Sequence, residues 1–250
     1  MKTQGSSRVL PKTAAGQEKF SGFPLEGLRF LKDLKKNNDR DWFRERKEIY
    51  ERTVHEPMAL LVTDVAETCR KRGLLVATKE KQPVMRVYRD VRFSPDKRPY
   101  KTHVGAGLKP LRATLGEVYI HISPEESFAA AGFWMPERAF LQAWRTSLVS
   151  DEGKNFLGVV RSLGKAGLEF SKESQLKKLP RGYERHADSH IADALRLTSY
   201  VTVRDLQPRE YRSAALVKTI CDFALATKPL LEYGWSLGFS PKRDLLEERP

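Results

Sequence analysis

Residues 79–101 read KEKQPVMRVYRDVRFSPDKRPYK and hold eight basic side chains against three acidic ones, a strong local positive excess. Arg86, Arg92 and Arg98 offer forks that match phosphate or carboxylate oxygens two at a time, while Lys97 and Lys101 act as point charges. Tyr88 and Tyr100 are rings on which a base could stack. Pro95 and Pro99 stiffen the turn, and a stiff cluster of cations loses less entropy when an anion docks. On a strand of period two, Arg86, Tyr88, Asp90 and Arg92 share one face. Met85, Val87, Val91 and Phe93 share the other and point to a core, with Arg89 among them. A guanidinium on a core-facing row needs a carboxylate or carbonyl partner, because an unpaired buried charge is costly. Asp33, Asp41 and Glu117 are candidates. In the blander alternative Asp90 and Asp96 simply tie the loop down, and the run is an internal Arg-Asp-Lys network.

Proton chemistry has fewer candidates. Tyr119, His121 and Ser123 fall on one face of a strand, opposite Val118, Ile120 and Ile122. If that strand pairs near the basic one, His121 overlooks a cationic pocket as acid or base, with Asp90 or Asp96 orienting it. His103 follows the basic turn directly, and Asn37 and Asn38 could add neutral donors. Both histidines have the plainer reading of local hydrogen bonding. Other templates fail: there is no phosphate-cradling glycine loop, no H-E-x-x-H and no G-x-S-x-G. His121-Ile122-Ser123 is half of a paired H-x-[ST] pattern whose second copy is missing, and no acidic-x-Lys completes a nuclease motif begun by Pro95-Asp96. His186 and His190 are four apart, but the polar, Gly-containing run around them argues against a helix that would make them joint ligands. No metal and no cofactor is expected.

The elements that must position these residues follow from periodicity. The first nineteen residues lack any and read as a mobile basic tail. Pro24 opens a helix with Leu25, Leu28, Leu31 and Leu34 on one face; Asn37-Asn38 ends it, and Asn38 or Asp39 caps a second helix carrying Trp42, Phe43, Ile49 and Tyr50. There Arg44 with Glu48 and Lys47 with Glu51 read as a solvated face. A third helix begins near Pro57, buries Leu61, Val65 and Cys69, and stops at Gly73. Residues 85–93 and 104–108 read as strands, 118–122 and 127–134 as a hairpin, and 136–148 and 151–163 as helices. An irregular excursion over 164–187, a strand over 197–203 and a closing helix from Pro208 to about Leu231 follow. Helices, clustered strands, then helices predict α+β: a single domain over 20–239, with a mainly antiparallel sheet packed by N-terminal, middle and C-terminal helices. Residues 240–250 read as a flexible tail.

Composition bounds the rest. The 250 residues carry a formal net charge of +13, which favours polyanions or anionic substrates. Two cysteines, Cys69 and Cys221, cannot build a disulfide or zinc framework and read as core. No apolar run is long enough for a membrane span, and the first residues contain no secretory h-region, so a cytoplasmic location is expected.

Several of these residues together resemble one family. They are Phe20-Ser-Gly-Phe, Asn37-Asn38 with Trp42-Phe43, and the run Arg86-x-x-Arg89-Asp90-x-Arg92-Phe93-Ser94-x-Asp96-Lys97-x-Pro99-Tyr100-Lys101. Tyr119-x-His121-x-Ser123-Pro124, Gly132-Phe133-Trp134-x-Pro136 and Pro180-x-Gly182-Tyr183 complete the set. The family is bacterial and fungal, known as a conserved domain of unknown function. The resemblance covers roughly residues 20–235 and implies one domain whose signature elements converge on one site. It brings no activity with it. Three readings stand: a binding module for nucleic acid or a nucleotide through residues 86–101, an enzyme acting on a small anionic metabolite with His121 as acid or base, and a structural or interaction protein.

Overall fold

The computed structural model describes residues 18–77, 84–110 and 115–238. The expected tails, apart from Glu18 and Lys19, and residues 79–83 of the basic run lie outside the described residues. The fold is α+β. Five strands hydrogen-bond in the order β1 (Val76–Ala77), β2 (Val104–Pro110), β3 (Glu117–Ile122), β4 (Phe128–Phe133) and β5 (Tyr200–Asp205). The four longer strands form an antiparallel sheet, and helices pack on it, among them the N-terminal α4 (Glu56–Lys71) and the C-terminal α9 (Ala215–Ser236). No helix among the described residues is long and apolar enough to cross a membrane.

The chain gathers into two compact units, the first made of the described residues up to Leu108 with Tyr119–Ala129 and Asp205–Asp222. Pro24 sits at the N-cap of α1 (Leu25–Lys36), whose buried stripe is Gly27, Phe30, Leu31 and Leu34 rather than the expected leucine row. Leu25 stays 45% exposed because Phe30 is the larger apolar side chain and turns the helix toward itself. Asp39 caps α2 (Arg40–Glu45) by accepting from the backbone N–H groups of Asp41 and Trp42. The single second helix expected from spacing is instead three pieces: α2, α3 (Lys47–Tyr50) and a π-helical turn over Glu51–His55 that runs into α4. These pieces rotate Phe43 and Tyr50 inward, where Phe30 meets both rings at centroid distances of 6.0 and 5.9 Å. Cys69 and Cys221 are buried, and Gly73 ends α4 at a φ of +82° with Leu74 N–H bonded to Cys69 O.

In this unit the basic segment departs most from its expected form. Residues 84–101 form isolated antiparallel bridges, Val84 with Ala106 and Tyr88 with Tyr100, instead of a continuous strand. Met85 N–H bonds to Gly105 O, whereas Lys101 N–H bonds to Val87 O. The five residues Lys101–Gly105 therefore lie opposite the three residues Met85–Val87, so the partner strand bulges by two residues. Val84 and Val87 are buried, but Met85 is 38% and Phe93 95% exposed, so neither is the core residue that period two predicts.

The second unit comprises the described residues of Lys109–Val118, Ala130–Arg204 and from Phe223 on. It holds α5 (Arg138–Leu148), α6 (Gly153–Lys165) and α7 (Ala192–Arg196). Its core centres on Trp144, fully buried and stacked on Tyr200 at 4.0 Å. Phe156 and Tyr233 meet the same indole edge-on, and the Tyr233 hydroxyl is 2.6 Å from Ser147 Oγ. The expected closing helix is divided into α8 (Pro208–Tyr211), closed by a Gln207/Glu210 capping box, and α9.

One glycine marks how tightly α1 is held. A Cβ at Gly27 would lie 2.2 Å from the carbonyl oxygen of Thr53 in the π-helical turn, backbone that no side-chain rotation can move away. Alanine is the better helix former by about 1 kcal/mol, yet Gly27→Ala is predicted to destabilise by roughly 1–3 kcal/mol through overpacking. A denaturation midpoint shifted upward would contradict this packing.

Candidate functional site

Asn38 joins the helices of the first unit to the basic segment. Its side-chain amide donates to Tyr100 O at 2.9 Å, and its side-chain oxygen accepts from Tyr100 N–H at 2.9 Å. The amide thus substitutes for a neighbouring strand. The Tyr100 ring stacks on Phe43 of α2 at 4.1 Å, with an interplanar angle of 17°. Asn37 is spent differently, donating to Asp33 O at the end of α1. Neither asparagine is a free donor of the kind expected from sequence, and Tyr100, 5% exposed, packs on Phe43 instead of presenting an open face.

This junction forms one wall of a cleft of about 470 Å³. Arg40, Phe43 and Arg44 of α2 and Lys47 of α3 line it from one side; Tyr88, Arg89, Val91, Pro99 and Tyr100 line it from the other. Four cations and three aromatic rings face this space and no carboxylate does. Arg44 pairs with Asp41 at 2.9 Å across the solvated surface, and Arg89 with Asp96 at 2.7 Å. Arg40 and Lys47 have no ion pair among the described residues. The expected Arg44–Glu48 and Lys47–Glu51 pairs are not formed: Arg44 is engaged by Asp41, and Glu51 lies 3.5 Å from His55 Nδ1. Tyr88, 54% exposed, is the ring with an accessible face.

The basic turn beyond the cleft is largely self-bonded. Asp90 accepts from Arg92 Nε at 3.0 Å and Nη2 at 2.7 Å. Asp96 takes Arg89 Nη1 at 2.7 Å and a fork from Arg98, Nε at 2.9 Å and Nη2 at 2.7 Å. Lys97 Nζ donates to Val91 O at 3.0 Å. Arg89 therefore has its partner within its own turn, not in Asp33, Asp41 or Glu117. The Arg98 and Arg89 guanidiniums hold the Asp96 carboxyl well below the usual carboxylate range, and the Arg92 guanidinium lowers that of Asp90. Both aspartates accept from arginines of their own turn. Arg86 and Lys101 are left without a carboxylate among the described residues, and burial, then Arg86, lowers the Lys101 ammonium.

Sequence reasoning missed Arg40, Arg44 and Lys47. The available signal was the Asn38-Asp39 cap, which fixes where α2 begins and hence which faces Arg40 and Arg44 occupy.

The family model described as conserved hypothetical protein (DUF2461) matches residues 26–233. The chain belongs to this family. No curated protein and no solved structure matches it. In this DUF2461 protein the cleft, its asparagine junction and the basic turn all fall inside the matched span.

Two of the five histidines of the DUF2461 chain, His103 and His121, form a second cluster in the same unit. His103 and His121 have ring centroids 4.1 Å apart, and His121 stacks on Phe128 at 4.7 Å. The Tyr119 hydroxyl is 3.2 Å from His121 Nδ1. Burial, then the neighbouring His103, lowers His121 to about 4, and burial, then Lys101, lowers His103. At neutral pH His121 is therefore an uncharged imidazole that can accept a proton but has none to spare as an imidazolium. Neither His121 nor Arg92 lines the cleft.

These shifts predict a pH dependence. An imidazole depressed from about 6.5 to about 4 binds its proton more weakly folded than unfolded, so the stability it contributes is full above about pH 6.5 and lost as pH falls toward 4. The loss is on the order of 2–3 kcal/mol for the half-buried ring. His121→Gln is predicted to flatten the fall in melting temperature between pH 6.5 and 4, and an unchanged profile would contradict the assignment. In the turn, Asp96→Ala is predicted to lower the melting temperature and Arg92→Ala to leave it nearly unchanged, because only Asp96 ties three chain positions together. Equal effects in a parallel melt would contradict that distinction.

Proposed function

We propose that this DUF2461 protein binds a phosphate-bearing ligand with an aromatic base, a nucleotide or nucleic acid, in the cleft between α2–α3 and the basic segment. The observation that carries the proposal is the lining: Arg40, Arg44, Lys47 and Arg89 with the accessible ring of Tyr88, around about 470 Å³ and without a carboxylate. That volume lies within the range of ordinary ligand clefts. Cations held side by side repel one another, and phosphate relieves the repulsion while the tyrosine supports a base. Arg92, Lys97 and Arg98, the cations the sequence favoured, are bonded within the turn and serve here mainly by shaping it. Arg86 and Lys101 add positive potential nearby.

An enzyme on a small anionic metabolite has less support, since its proton carrier His121 stands outside the cleft lining. The third reading, a purely internal network, accounts for Asp90 and Asp96 but leaves Arg40 and Lys47 unexplained.

The test is titration with ATP and with single-stranded oligonucleotide across a salt series. Lys47→Ala and Arg40→Ala are each predicted to weaken binding roughly tenfold. Each should also reduce the slope of log affinity on log salt by about one where the lost contact is to phosphate. Affinities and slopes unchanged in both variants would overturn the cleft as the binding site.

A further inference from the structure

Phe93 is 95% exposed, more than any other large hydrophobic side chain among the described residues. Its exposure is not a fraying end. On one side Arg92 forks onto Asp90, and on the other Lys97 is tied to Val91 O and Arg98 to Asp96. Side chains before and after the ring are thus bonded within the turn, and the Arg92 guanidinium carbon lies 5.9 Å from the ring centre. A phenyl ring presented to water gains on being covered, because apolar surface leaves the solvent.

We infer that Phe93 stacks on a base of a single-stranded nucleic acid, so that the occupant of the cleft is a strand and not a free nucleotide; this rests on the reading of the cleft given above. Val91 lines the cleft, and Phe93 is two residues further on, at most about 7 Å along the chain. From cleft to tip the segment therefore carries a ring at each end with two cations between: Tyr88, Arg89, Arg92, Phe93. A strand interleaves bases and phosphates in the same way, and non-specific single-strand binding relies on that pairing of stacking platforms with a positive track. Residues 84–101 hold six cations and two carboxylates, and both carboxylates are occupied by arginines of their own turn. An anionic bilayer would also accept a ring flanked by cations. Tyr88, however, lines a concave cleft that a flat surface does not enter.

The experiment uses the full chain and two probes, a labelled twelve-nucleotide oligothymidylate and ATP, with Phe93→Ala, Phe93→Tyr and Lys47→Ala beside the unsubstituted protein. Phe93→Ala is expected to weaken the oligonucleotide about 5- to 100-fold while leaving ATP affinity and melting temperature unchanged. Phe93→Tyr, which keeps the ring, should restore binding, and Lys47→Ala should weaken both probes. Oligonucleotide affinity unchanged in Phe93→Ala overturns the stacking role and leaves the cleft reading standing. Binding of ATP with no gain for the oligonucleotide overturns the strand. Binding of neither probe overturns the cleft reading itself, and Phe93-dependent sedimentation with phosphatidylserine vesicles would then assign the ring to a membrane surface.

Discussion

The site hangs on one neutral side chain. Tyr100 has no regular strand partner for its N–H and C=O groups at this point, and Asn38 meets both with a single amide. Leaving either group unpaired in a buried position would cost about 1–3 kcal/mol. With the backbone fixed, the Tyr100 ring lands flat on Phe43, and Phe43 is itself held among Phe30 and Tyr50. The cations of α2 and α3 and the segment 88–100 face each other because this amide and this stack hold them at a set separation. No charge is needed for that positioning, so the charges around the cleft are left for something else.

That division of labour explains why counting cations misleads here. The segment 84–101 is strongly basic, yet Arg92, Lys97 and Arg98 are engaged by Asp90, Val91 O and Asp96. The turn they build is rigid and its net potential stays positive. The cations of the cleft are contributed in part by α2 and α3, where the local sequence is balanced with acids and nothing marks it as a site. Lys47 and Arg40 differ from the rest in having no ion pair among the described residues.

Much of this was legible in the sequence. The Asp39 cap, the burial of Leu61, Val65 and Cys69, the glycine stop at residue 73, the hairpin after Tyr119 and the α+β class follow from local rules that the tertiary structure does not override. The basic segment was legible as a special stretch but not in its geometry. Alternation over 85–93 predicts a two-faced strand, whereas pairing is limited to isolated bridges around a bulge in the partner strand and ends before Val91, leaving Met85 and Phe93 exposed. Bulges depend on which backbone groups find partners across the pair, and neither strand records that alone. The same holds for Asn38: its type suits a ligand donor and a backbone mimic equally, and only the position of Tyr100 sixty-two residues later decides between them. The division of the second helix was hidden for a related reason, since the aromatic cluster of Phe30, Phe43 and Tyr50 is assembled from three separate pieces.

The cleft depends on the Asn38 junction that holds its two walls together. Asn38 carries no charge and does not line the cleft, so Asn38→Ala removes no ligand contact. The most direct measurement is ATP affinity of that variant, made alongside near-ultraviolet circular dichroism at a temperature where the fold persists. The account predicts at least a tenfold loss of affinity in a folded protein whose aromatic signal from the Phe43–Tyr100 stack has changed. Wild-type affinity in a folded Asn38→Ala protein would contradict it.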